Sequence, residues 1–170
     1  MTPNNTITSA QTLANTMNEA RNLTRFYAAK LKGEDMHRQF EVNGYTTNSA
    51  FWILAHLCWA EHSLLLKGMG HQGLDIPWLN EFKFGCAKDA DRSNWPSLHE
   101  VFAALKQIHS IAMEKLSEMT DEELDTDNAT GIAFGENKSK RFIAMHTIRH
   151  EGTHCGQLSL LVKMYGKKTV

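Results

Sequence analysis

Proline stands at only three positions of this chain, 3, 77 and 96, so residues 4–76 and 97–170 contain no residue that must break a helix. Within both stretches apolar side chains recur at steps of three and four, the spacing of one helical face. From about residue 9 to 31 the face carries Leu13, Met17, Ala20, Thr24, Tyr27 and Leu31, and Gly33 ends it. From about 47 to 67 the run NSAFWILAHLCWAEHSLLLKG is apolar nearly all round, which predicts a central helix stopped by Gly68 and Gly70. The third helix starts at Pro96 and Ser97, with Glu100 completing a capping box, and its stripe is Leu98, Val101, Leu105, Ile108, Ala112, Leu116 and Met119. The polar run TDEELDTDNATG closes it. A fourth helix is predicted from about 139 to 165, before Gly166 and a basic tail. Strand signals are confined to short pieces such as FEVNGYT, and there is no repeat or interdomain linker. The expectation is one all-α domain over residues 1–170, most simply a four-helix bundle. The connection from about 69 to 95, rich in Gly and aromatics, is longer than a bundle loop requires and suggests a lid.

Charge and composition exclude several function classes. A chain of 170 residues buries a core without staples, and 42% hydrophobic with 22% charged residues is globular in kind. The formal net charge is −1 with both signs interspersed, so no basic stripe awaits a phosphate backbone and no nucleic-acid partner is expected. No apolar run is long enough for a membrane span. The N-terminal MTPNNTITSAQTL lacks the basic and apolar regions of a signal peptide. Cys58, Cys86 and Cys155 are odd in number and widely spaced, which argues against a disulfide framework and fits a cytoplasmic protein.

The fourth helix carries the chemistry. In HTIRHEGTHCGQL, His146, His150 and His154 fall four residues apart, on successive turns of one face, with Ile143 and Leu161 in the same sector. Imidazoles facing a core must find partners, since each unmet buried polar group costs about 1–3 kcal/mol. A divalent metal resolves this, taking one nitrogen of each ring and leaving the other for a hydrogen bond. Adjacent members of the stripe can converge on one ion, whereas His146 and His154 lie about 12 Å apart along the axis. Two ligands therefore come from this helix and a third from another. His56, mid-helix in the most apolar segment, is the first choice, and His62, nearly two turns nearer the helix end, is the second. Metal binding is accordingly assigned to His56, His150 and His154. Three histidines leave a coordination position open, the pattern of catalytic zinc; histidine ligation alone admits nickel, iron or manganese as well.

HEGTH matches the HExxH signature literally, which makes Glu151 the candidate catalytic base. The rest of a zinc-protease pattern is missing. Gln157 and Leu160 stand where a metzincin needs Gly and His, and none of the 16 residues after His154 is Glu, Asp or His. Among the other histidines, His146 reads as a pocket wall or supporting group, and His62, His71, His99 and His109 as surface or capping residues. Cys155 reads as a packed free thiol. Gly152 and Gly156 suit close approach of another helix, within the chain or across a homodimer; Trp52, Trp59, Trp78 and Trp95 read as core, with the pocket mouth a second place for Trp78 and Trp95.

The pairing of NSAFWILAHLCWAEHSLL with HTIRHEGTHCGQLSLL resembles the DinB/YfiT-like superfamily, whose members carry one histidine on the second helix and an HxxxH pair followed by Gly-Gln on the last long helix. TDEELD resembles the family's turn after helix three. The resemblance implies a four-helix bundle with a histidine-bound divalent metal in a pocket, His56 matching the helix-two ligand and His150 and His154 the HxxxH pair. Zinc or nickel comes first, with iron or manganese also open. Some relatives are transferases using bacillithiol, mycothiol or glutathione, and others are maleylpyruvate isomerases. Many relatives have Arg before the Gly-Gln, where Cys155 stands here. The expected function is thus a metal-dependent enzyme, most concretely a thiol S-transferase acting on a small molecule with a low-molecular-weight thiol. A non-catalytic metal- or ligand-binding stress-response protein is the alternative, and an HExxH-type metallohydrolase ranks below both.

Overall fold

The computed structural model describes residues 7–86 and 92–169. Helix α1, Ser9–Lys30, begins at a capping box the periodicity did not suggest: Thr8 accepts from the Gln11 amide while the Gln11 side chain accepts from the Thr8 amide. Its buried face is Ala10, Ala14, Met17, Arg21, Thr24 and Ala28, so the helix is turned slightly from the stripe its apolar residues predict. Leu13 and Tyr27 sit at the edge of that face. The cause is Arg21, which an apolar count places outside and which ion pairs hold at 0% exposure.

A two-residue hairpin follows, β1 (Glu41–Val42) against β2 (Tyr45–Thr46), where the strand-like FEVNGYT was expected. Asn43 and Gly44 both take positive φ, 50° and 81°, the demand of a tight primed turn. Helix α2, Ala50–Ala60, is capped by Ser49 and continues as a π-helical segment, Glu61–Leu66. Nearly every residue of the two is buried, as an all-round apolar sequence requires.

The described parts of the connection from α2 to α3 are tied to the core. His62 accepts from the Leu74 amide at 2.8 Å, and Phe82, in the 3-10 turn Leu79–Phe82, is fully buried. Trp95 stacks on Phe51 at 5.5 Å with rings 6° from parallel. The part of the expected lid at residues 87–91 lies outside the described residues.

Helix α3, Leu98–Ser117, starts at the Ser97–Glu100 capping box and buries Val101, Leu105, Ile108, Ala112 and Leu116. The acidic run after it forms a short helix of its own, α4 (Asp121–Asp125), with Thr120 and Glu123 making another capping box. Arg141 of the last helix binds Asp121 and Asp125, which docks this turn. Helix α5, Lys140–Met164, is capped by Ser139. Four long helices share the core: α1 packs on α5 and α3, and α2 with its π segment packs on α3 and α5. Leu57, Ile108, Leu116, Leu158 and Val162 are buried at their meeting. The fold is all-α, and among the described residues no helix is long and apolar enough to cross a membrane.

Candidate metal centre

Because α2 and α5 lie side by side, His56 from the middle of one meets His150 and His154 from the other. Their Nε2 atoms converge: His150 Nε2 stands 3.2 Å from that of His56 and 3.2 Å from that of His154, and one ligand atom from each ring falls within 4.8 Å of the others. Zn–N bonds of about 2.0–2.1 Å at tetrahedral angles separate nitrogens by about 3.3 Å, so the spacing suits one ion.

Hydrogen bonds on the far side of two rings set their tautomers. His56 Nδ1 is 2.7 Å from the Phe82 carbonyl oxygen, which can only accept; the ring proton is therefore on Nδ1 and the Nε2 lone pair is bare. His154 Nδ1 donates in the same way to Gln157 Oε1 at 2.8 Å. Both lone pairs point at His150 Nε2. His150 Nδ1 is buried without a hydrogen-bond partner. Burial pushes His56 down to about 4, with the Phe82 carbonyl opposing and His154 adding to the shift. Burial, then His154 and His56, takes His150 down to about 3, and burial lowers His154 as well. Near neutral pH the trio is uncharged. Its centre has room for one shared proton or one cation, and three converging neutral nitrogens are the donor set a borderline divalent metal takes.

The centre opens on a cavity of about 640 Å³. Trp52 and Trp59, one turn before and one turn after His56, sandwich its ring at 4.7 Å and 5.6 Å. Elsewhere on the wall Phe134 stacks on His146 at 3.9 Å. Arg149 donates to His146 Nδ1 at 2.8 Å, which leaves the ring proton on Nε2. Asn48, Leu64, Ile132 and Cys86 complete much of the wall.

This geometry accompanies a family match: a model described as the DinB superfamily covers residues 16–158. The chain belongs to the DinB superfamily. The matched span holds all three histidines and most of the four long helices, so the DinB assignment and the three-histidine group coincide on the same part of the chain. No curated protein shows significant similarity to the sequence.

Glu151 does not join the histidines of this DinB site. One residue from His150 on the helix, its carboxylate is turned into the α1–α5 interface at 1% exposure. Arg21 grips it through Nε at 2.8 Å and Nη2 at 3.0 Å, and Thr24 donates to it at 2.6 Å. Burial alone would raise this carboxyl, but the Arg21 charge and the hydrogen bonds from Arg21 and Thr24 outweigh it and the net shift is downward. A carboxylate held ionised and bonded on both oxygens is poorly placed as a base, and in this position Glu151 joins α5 to α1. Arg21 Nη2 also lies 3.0 Å from Glu61 Oε2, near enough for an ion pair though not aligned as a hydrogen bond. Glu61 in turn faces His109 Nδ1 at 2.6 Å, whose Nε2 reaches Asn18 at 2.8 Å.

Other expectations also change. His62 and His109, read as surface or capping residues, are both buried, one anchoring the connection and the other in the ion-pair network. Trp78 and Trp95 do not line the cavity: Trp78 meets Phe82 edge-on and Trp95 packs on Phe51 and Phe82. Trp52 and Trp59 line it instead, a placement their spacing around His56 already signals. Gln157, three residues after His154, is the supporting group the same helical rule picks out. Cys155 is a buried free thiol raised by burial, as read. Gly152 and Gly156 have nothing within 4 Å of an added Cβ, so among the described residues no other helix approaches them.

Proposed function

We propose that this DinB-superfamily protein is a divalent-metal-dependent enzyme, in its most concrete form a thiol S-transferase acting on a small molecule. The observation that carries the reading is the convergence of His56, His150 and His154 Nε2 atoms on one wall of a cavity. A divalent ion bound there would act as a Lewis acid, lowering the pKa of a thiol or water or polarising a substrate oxygen. The chain's own residues do the positioning. Phe82 and Gln157 hold two imidazoles in the tautomer that presents Nε2, and Trp52 and Trp59 fix the plane of His56 and exclude water from that side. His146 presents an Nε2–H to the same cavity, a donor for a leaving group or carbonyl oxygen. In the transfer the thiol S–H and the electrophile's bond to its leaving group break, a C–S bond forms, and the proton departs with the leaving group.

Elemental analysis of untagged protein, followed by thiol-consumption assays with a panel of electrophiles with and without a chelator, tests this. Stoichiometric metal with chelator-sensitive turnover is the expected result; metal-loaded protein with no turnover across the panel, and no exchangeable water on the ion, favours the non-catalytic metal-binding reading instead. The zinc-hydrolase reading loses its support with Glu151 engaged by Arg21 and Thr24. We assign the outward face of Gly152 and Gly156, flanked by exposed Met145 and Leu160, to a second copy of the chain. Light scattering should then give twice the 19.2 kDa chain mass, and a monomer would refute it.

A further inference from the structure

The walls of the cavity say what kind of molecule it takes. Among the described residues that line it there is no Lys, Arg, Asp or Glu. The polar side chains among them are Asn48, the thiol of Cys86, the imidazoles and the indoles of Trp52 and Trp59. Two groups of stacked rings line it, Trp52, His56 and Trp59 with neighbouring rings within 22° of parallel, and Phe134 on His146 at 25°, and they meet at His150. At the mouth Phe84 lines the cavity while 86% exposed, a large apolar side chain with little to cover it.

We infer that the site selects an apolar substrate with an uncharged aromatic body and one donor atom at its end, seated against these aromatic walls with that atom toward the three histidines and its outer edge against Phe84. The inference rests on the metalloenzyme reading and names the substrate class for it. A molecule with several charges is a poor fit, because each charge would leave water without meeting a countercharge among the described lining residues. An uncharged aromatic body gains instead, because edge-to-face or offset contacts with these rings contribute beyond the apolar area they cover. A volume of about 640 Å³ accommodates a bicyclic body and lies within the range of small-molecule sites. At the centre, three neutral imidazoles would leave a divalent ion's charge uncompensated, which favours a donor such as a thiol, phenol or enol that can ionise.

The test uses metal-loaded protein and the uncharged dye N-phenyl-1-naphthylamine, read by its own emission and by quenching of tryptophan fluorescence. The expected result is binding that Phe134→Glu weakens by about tenfold or more, since a carboxylate then lines the stacking face. Phe84→Ser should weaken it severalfold, and that side chain is too exposed for its loss to unfold the protein. In competition, 2-naphthalenethiol should displace the dye at concentrations where glutathione, with two carboxylates and an ammonium, does not. Absence of dye binding, equal binding to wild type and both variants, or displacement by glutathione before 2-naphthalenethiol would each overturn the inference. Metal content measured on the same samples separates the two readings. Dye binding sensitive to Phe134→Glu in a protein that takes up no metal would refute the metalloenzyme and leave the apolar pocket standing.

Discussion

Gln157 and Glu151 stand three residues either side of His154, and their roles differ because they face different neighbours. Gln157 accepts from His154 Nδ1, so its loss frees the ring to turn and to change tautomer. Gln157→Ala should weaken metal affinity by about 10–100-fold, measured by competition with a chelating dye, while leaving the urea midpoint nearly unchanged. Glu151 is on the opposite account. Removing one partner of a buried ion pair strands the other, so Arg21→Ala, which leaves Glu151 with Thr24 alone and Glu61 with His109 alone, should cost about 3–5 kcal/mol in urea unfolding. Glu151→Gln keeps the shape and loses the charge. It should lower stability yet leave the metal content of the folded protein intact; full stability with abolished turnover would restore the catalytic role.

At the scale of elements, the connection after α2 depends on one backbone position. Gly73 has φ of 92°, and a Cβ there would come within 2.6 Å of Lys67 Cε and 2.9 Å of His62 Nε2, the atom that accepts from Leu74. The Lys67 end can move aside, but the His62 ring is buried and fixed. Gly73→Ala should therefore cost at least the roughly 1–2 kcal/mol of a left-handed backbone at a residue with a side chain, and should raise amide exchange at Leu74. The α3 start is simpler: Ser97→Ala removes the cap and should cost about 1 kcal/mol in the same urea assay.

For the molecule as a whole, pH acts through the buried histidines. In the folded, metal-free protein burial holds His56 at about 4 and His150 at about 3, whereas in the unfolded chain each takes a proton near the ordinary value of about 6.5. Their contribution is complete above pH 6.5 and is lost progressively as pH falls toward 4 and 3, because only the unfolded state binds protons in that window. Glu151, shifted downward, adds a loss in the same direction below the usual carboxylate range. The urea midpoint of the metal-free protein should fall steadily between pH 7 and 4; a flat profile to pH 5 would mean that the folded trio takes up protons as readily as the unfolded chain does.

What could be read from the chain was what helical geometry makes local. Residues four apart share a face whatever surrounds them, so His150 and His154 were legible as a pair, and the Ser97 and Ser139 helix starts follow from side chains that bond their own first turn. The tryptophans flanking His56 obey the same rule. The tertiary structure decided what depends on neighbours distant in sequence. Arg21 and Glu151 are 130 residues apart, and only the packing of α1 on α5 makes a buried arginine tolerable and turns Glu151 from the metal site. His62 and His109 look polar one residue at a time and become interior because Leu74 and Glu61 are brought to them. Local periodicity is a property of the backbone, while the partner that satisfies a buried charge is chosen by the fold.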